Sequence, residues 1–314
     1  MKMKQTMVRR GALNLAALML LVGVPARTYG ATAISSVPYA ITSSGSYYLA
    51  KDLRTTVADQ NAITVEANDV TIDLMGYSLI GYGSGAGSGI VMQARENVEV
   101  RNGSVQRFGG YGIFEAKFWS EESPTCGYGH RVIGVRTLYN GSYGIDLEGY
   151  NHLVKDCTAM QNGKDGIYIG HSSMASGNVS NANGNDGIGL GDGCLVFNNV
   201  VAFNTYYGIW SWDGCTVSDN TSYSNKYGIY VEGTGAWIKG NTVRGCELAN
   251  IYVKGTKNAM EGNLVTGSTG GSGIYFETSG NFYSNNRASG NKTNYSGPGK
   301  PTGAPGDGGG NVGF

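Results

Sequence analysis

Charge is what this 314-residue chain lacks most: only 15% of its residues are Asp, Glu, Lys or Arg, and 23 acids balance 23 bases. A sparse, balanced charge removes the electrostatic case for nucleic acid or an anionic membrane as principal partner. Histidine is scarce, at three residues (His130, His152 and His171), and no Cys-x-x-Cys or His-x-His spacing occurs, which argues against a transition-metal redox centre. Beyond residue 30 no run is apolar enough to span a bilayer. Nor does any segment there keep a 3.6-residue apolar period for ten residues, so a helical fold is excluded. What the chain has in excess is glycine, at 52, and tyrosine, at 21, over an apolar content of 40%.

The first thirty residues stand apart. Lys2, Lys4, Arg9 and Arg10 precede the short apolar run GALNLAALMLLVGV, and Pro25 breaks it. This is the pattern of a secretory signal peptide (1–30), cut after Gly30 or Ala33, rather than of a retained anchor. The expected location is secreted or periplasmic, with no membrane insertion after cleavage. Five cysteines in an exported chain leave at least one unpaired. Cys194 and Cys215 each follow Asp-Gly at the same place in consecutive repeats. Stacked strands would set them about 4.8 Å apart, compatible with either a disulfide or two buried thiols.

The repeat is anchored by Ile63, Ile90, Ile113, Ile145, Ile167, Ile188, Ile209, Ile229, Ile251 and Ile274, at intervals of 27, 23, 32, 22, 21, 21, 20, 22 and 23 residues. A fixed period in the twenties signals a solenoid. About ten residues after each anchor comes a second alternating segment, such as VTIDL, LVKDCTAM, LVFNNVVAFN or TVSDNTSYSN, bounded by Gly and Asn turns. A leucine framework is missing, and the period is more than twice that of a nonapeptide calcium-binding roll. The remaining architecture is all-β: a single-stranded right-handed parallel β-helix of about ten coils with three short strands per coil. Residues 31–60 are expected to form an N-terminal cap and opening strands, 61–292 the β-helix, and 293–314 a loose Gly/Pro-rich tail. Asp156, Asn178, Asn199, Asn220, Asn241, Asn263 and Asn286 recur at one turn, where stacked amides can bond along the axis.

The opening SGSYYLAKDL (44–53) and the following ITVEANDVTIDLMGYSLIG (63–81) resemble the pectate-lyase-like right-handed β-helix superfamily, over roughly residues 34–292. That resemblance implies the fold and a range of activities: polysaccharide lyases, glycoside hydrolases, mannuronan epimerases and periplasmic accessory proteins. A copper role of the NosD kind, implied only by the superfamily, draws little support from three histidines. Lyases of this group often place Arg or Lys on the outer face, and the central columns here have none.

Residues one and three after each anchor should face outward and align in columns. The first runs through Asp146, Tyr168, Gly189, Trp210, Tyr230 and Tyr252, and the second through Glu148, Gly170, Gly191, Trp212 and Glu232. Two places before the anchor lie Tyr143, Asp165, Asp186 and Tyr207; just past the strand lie His171, Asp192 and Asp213. Aromatics give way to glycines and acids within the same two coils, in three columns at once.

The candidate catalytic residues are therefore Asp165, Asp186, His171, Asp192 and Asp213. Asp146, Glu148, Tyr168, Trp210, Trp212, Tyr230, Glu232 and Tyr252 would line a track for an extended polysaccharide. Carboxylates on adjacent coils, about 5 Å apart, suit retaining glycoside hydrolysis, and those on alternate coils lie near the inverting range. Asp165 and Asp186 could instead hold Ca²⁺ for β-elimination on a uronate, with His171 as base. The inserted loop before Asp146 adds Trp119, Glu121, Glu122 and His130 as possible groove walls. The alternative is a non-catalytic glycan-binding or surface scaffold, whose stacked aromatics and Asp-Gly turns serve stability.

Overall fold

Residues one repeat apart stand directly above one another. In this computed structural model, which describes residues 30–116, 126–300 and 310–313, Ile90 pairs with Ile113. Ile113, Ile145, Ile167, Ile188, Ile209, Ile229, Ile251 and Ile274 then pair in turn as parallel-strand partners. Each anchor points inward and is fully buried, together with the residue two places on in most coils. One coil cannot cover these side chains, and stacking the coils produces a continuous aliphatic core. All regular elements among the described residues are strands. Residues 1–29, where the signal peptide is expected, the loop residues Trp119, Glu121 and Glu122, and residues 301–309 lie outside them.

Twelve strands form the anchor-bearing stack, from Tyr39–Ile41 to Thr293–Ser296. The repeat word counts about ten coils because the first and last carry Tyr39 and Tyr295 where the others have the anchor isoleucine. The other two faces merge into one sheet, since Val98–Gln106 and Arg131–Leu138 run unbroken across both. Two pieces of the Gly/Pro-rich end, Thr293–Ser296 and Val312–Gly313, are strands in register with the coil before them.

Turns are held by amide ladders. Asn178, Asn199, Asn220, Asn241, Asn263, Asn286 and Asn311 each pass a side-chain hydrogen bond of 2.9–3.1 Å to the next. The same carbonyl oxygens accept backbone N–H groups from the coil below. Asp156 is not in this ladder, contrary to the spacing argument: the N–H that meets Asn178 belongs to Cys157. Asp156 sits one place earlier with φ 54°, in the left-handed bend that Asn198, Asp219 and Asn285 also occupy. A second ladder, unremarked in the sequence although its period is identical, runs Asn140, Asn162, Asn183, Asn204 and Asn225.

Cys194 and Cys215 are buried free thiols whose sulfurs donate to Gly170 O and Gly191 O. Side chains stacked on parallel strands point the same way, so their Cβ atoms keep the strand spacing of about 4.8 Å, wider than the 3.5–4.5 Å typical of a disulfide. Both are therefore expected to stay reduced in aerobically purified protein. Alkylation after denaturation without reductant should label both, and an intact mass short of two hydrogens would refute the expectation.

Candidate functional site

The first outward column assembles as its spacing requires. Asp146, Tyr168, Gly189, Trp210, Tyr230, Tyr252 and Tyr275 are successive register partners. From Tyr230 onward the rings stack face to face: Tyr230 and Tyr252 lie 5.0 Å apart at 6°, and Tyr252 and Tyr275 4.8 Å apart at 18°. Tyr207 stacks on Tyr230 at 4.4 Å. A ladder of this kind spends its ring faces on itself and turns edges to solvent, so most of the aromatic track offers no flat platform to a sugar.

Gly189 is where the stack breaks. A methyl group placed on it would lie 3.0 Å from Tyr168 Cδ2, 3.7 Å from Trp210 Cε3 and 3.5 Å from Asp165 Oδ2. Gly189 is itself buried and a methyl group would already crowd Tyr168, so the Tyr168 ring leans over the glycine, with Trp210 on the other side and a carboxylate oxygen beside it. Among the described residues no other ring stacks on Tyr168. Trp210 is fixed from behind: its Nε1 donates to Glu232 Oε2 at 3.2 Å, and Glu232 in turn pairs with Lys254. Gly191 plays a different part. A methyl there would meet the Gly170 carbonyl carbon at 2.9 Å, so this glycine permits close backbone packing and opens no gap.

The acids beside Gly189 are held by backbone. Asp165 Oδ1 accepts the Asp186 N–H at 3.1 Å and Asn185 Nδ2 at 2.6 Å; Asp186 Oδ1 accepts the Tyr207 N–H at 3.0 Å. Each carboxylate therefore caps the next coil with one oxygen and keeps the other. Both residues are 3% exposed. Burial, then the neighbouring Asp165 charge, pushes the Asp186 carboxyl up to about 7; burial raises Asp165 too, opposed by its hydrogen bonds from Asn185 and Asp186. Asp146 is raised well above the carboxylate range by burial, with Glu148 and Asp165 adding to it and Lys164 opposing. Tyr143 and Tyr168, held above the ordinary phenol value first by burial, feel the same acids.

The five candidate catalytic residues fall into two groups. His171, Asp192 and Asp213 form their own capping series at the far end of the strands: His171 Nδ1 accepts the Asp192 N–H, Asp192 Oδ1 the Asp213 N–H, and Asp213 Oδ1 the Thr234 N–H. Six residues of extended chain separate Asp165 from His171, roughly 20 Å along the strand, so one reacting centre cannot engage both groups. Trp212 is exposed at the same far end. Glu148 leaves its assigned column, because the register shifts between Leu147 and Tyr150 and inserts it as a bulge. Tyr143, a member of the pre-anchor column, and Lys164 lie against the acids, and Asn185 joins them unforeseen, because only stacking sets its amide on Asp165.

The histidines are engaged with their neighbours. His130 Nδ1 accepts the Val98 N–H, while its Nε2 faces Glu115 Oε2 at 3.2 Å, both side chains fully buried. His152 Nδ1 accepts the His130 N–H, its Nε2 contacts Glu148 O, and the two rings stack at 5.0 Å. Burial and His130 hold the His152 pKa down at about 3.

A family profile described as "Periplasmic copper-binding protein (NosD)" matches residues 56–230, and one described as "Right handed beta helix region" matches 211–299. No curated protein matches. Among solved structures, the chain is similar to the A-module of the Azotobacter vinelandii mannuronan C-5 epimerase AlgE6, with TM-score 0.62, 15% identity and 91% of each chain covered. The A-module of AlgE4 from the same organism gives 0.59 and 16%, over 81% of this chain and 80% of that one. A double mutant of the periplasmic alginate epimerase AlgG gives 0.57 and 14%, over 88% and 76%. At such identities the likeness is one of fold. Copper does not fit the residues here. Both nitrogens of His130 and of His152 face partners, four thiols are buried, and no three His, Cys, Asp or Glu side chains converge among the described residues.

Proposed function

This chain belongs to the NosD family, and on that premise we propose that it is an exported polysaccharide-acting β-helix protein that binds an extended glycan along its outer face where the ring stack breaks at Gly189. That break carries the reading: Tyr168 and Trp210 flank a position without a ring, and Asp165 Oδ2 lies beside it. Aromatic rings beside carboxylates that can meet hydroxyls are a common arrangement in glycan binding. The mannuronan and alginate epimerases among the similar structures and the periplasmic character of the family agree with it.

The chemistry that best suits these residues is glycosidic bond hydrolysis. Asp186, protonated near neutrality, would give its proton to the leaving oxygen, and the more strongly hydrogen-bonded Asp165 would face the positive charge developing on the ring. Adjacent coils set the two about 5 Å apart, the spacing of a retaining pair. A lyase reading has less support, since Lys164 is the one cation acting on Asp146 and Asp165 and its amine lies over the Tyr143 ring. The second reading, a non-catalytic glycan-binding scaffold, is favoured by one observation: both aspartates spend an oxygen on capping.

Purified protein incubated with acidic and neutral glycans should release new reducing ends without unsaturated-uronate absorbance. Absorbance would indicate a lyase, and binding without either product the scaffold. Trp210→Ala should cut glycan affinity at least tenfold, roughly 1.4 kcal/mol or more. Retention of wild-type affinity in affinity electrophoresis would remove the break at Gly189 from the binding face.

A further inference from the structure

Resting on the reading that this chain binds glycans, we propose a second binding site outside the anchor face: a hollow between Arg54 and Arg107 that takes the carboxylate or sulfate group of an acidic glycan. Its tyrosines receive the sugar ring that bears the group.

The hollow lies at the corner where the merged sheet ends, with Arg107 six residues before the anchor Ile113. Arg54, Ile80, Gln106, Leu138 and Met160 are successive register partners there, and their column continues to Ser289 without an acid in any coil. One place on, Gly81, Arg107 and Tyr139 stack in the same way, since the Gly81 N–H donates to Gln106 O and the Arg107 N–H to Leu138 O. A methyl on Gly81 would meet Arg107 O at 2.3 Å, so backbone alone floors the hollow at that point. Tyr82 and Gly83 complete its lining, and its volume is about 310 Å³.

The lining suits an oxyanion. Arg54, Arg107, Tyr82 and Tyr139 are all exposed, the two tyrosines at 57% and 47%, and no carboxylate is among the lining residues. Arg101 and Arg131, on the same sheet, pair with Asp73 and Glu99. Neither Arg54 nor Arg107 has an ion pair or a side-chain hydrogen bond among the described residues. Asp52, two places before Arg54, has its Oδ1 on the Ser78 N–H instead. Two unpaired guanidiniums over one hollow repel each other, whereas a carboxylate or sulfate between them supplies the opposite charge and matches their forked N–H groups. Arg107 lies over the Tyr139 ring at 5.8 Å, which holds its charge at the hollow's edge. The exposed tyrosine rings offer an apolar surface to a sugar, and a hollow this open to solvent fits one unit of a long chain better than an enclosed small molecule.

Calorimetry on the purified protein compares an oligogalacturonate, a sulfated galactan oligomer, a neutral glucan oligomer and a single-stranded oligonucleotide. At least one acidic glycan should bind about tenfold tighter than the neutral one, and added salt should shrink that preference. Whichever acidic oligomer binds tighter tells carboxylate from sulfate. Arg54→Gln with Arg107→Gln should remove the preference, leaving affinity for the neutral oligomer and the thermal midpoint unchanged. Glutamine already holds the Arg107 position two coils on, where Gln161 has φ 53° against 60° for Arg107. Equal affinity for acidic and neutral oligomers, a preference that survives the double variant, or tighter binding of the oligonucleotide than of either acidic glycan would overturn the site. In each of those cases, loss of neutral-glycan affinity in Trp210→Ala leaves the glycan reading in place; absence of binding to every glycan removes both.

Discussion

Asp186→Asn is expected to abolish glycan turnover and, at the same time, to stabilise the protein at about pH 8 by about 2–4 kcal/mol, with no gain at about pH 4. The sign follows from the direction of the shift. Unfolded, the carboxyl titrates near its ordinary 3.8; folded, burial and the Asp165 charge hold it at about 7. A carboxyl whose folded pKa is raised favours the native state fully below the unfolded value, and that contribution is lost as pH rises through the folded one. Between about pH 4 and 7 wild-type stability should therefore fall, and above that range an ionised, buried Asp186 costs several kcal/mol in the native state. Asparagine stays neutral throughout and keeps the oxygen that accepts the Tyr207 N–H at 3.0 Å. Urea denaturation at the two pH values reads the stability, and release of reducing ends reads the turnover. Equal stability changes at both pH values would contradict the ionisation argument. Turnover in a folded Asp186→Asn protein would remove Asp186 from the catalytic assignment.

The second large effect concerns the fold. Asn220→Leu should destabilise by about 3–4 kcal/mol, because it removes four hydrogen bonds at about 1 kcal/mol each and leaves the buried Asn199 N–H without an acceptor. Asn220 Oδ1 accepts from both the backbone N–H and the side-chain amide of Asn199, and its Nδ2 donates to Val196 O and Asn241 Oδ1. Leucine matches the volume and satisfies none of these. Loss should show as a lowered urea midpoint, and a shift under 1 kcal/mol would mean that water enters the turn and replaces the ladder.

Much of this molecule was readable along the chain, for reasons particular residues make plain. The isoleucine anchors repeat at nearly constant intervals, and a parallel stack turns equal spacing into direct contact. Hence the column from Asp146 to Tyr275 could be written down before its strands were seen. The same rule failed wherever a coil departs from the common path. The bulge at Glu148 shifts one column, and the one-residue offset between Asp156 and Cys157 takes Asp156 out of the amide ladder.

Sequence alone determined the right-handed β-helix, the inward anchors, and the coils in which aromatics yield to glycine and aspartate, since each depends only on period and residue type. Tertiary structure decided which of those residues meet. Gly189 and Gly191 read alike in DGIGLGDG, yet one lies against the side chains of Tyr168 and Trp210 while the other lies against the backbone of Gly170. Asp186 and Asp192 read alike as well, but one is buried beside another acid and the other is exposed at the far end of its strand. The reason is physical: the repeat sets the order of residues along a coil, whereas burial and the distance to the next charge depend on how coils bend and what stacks above them.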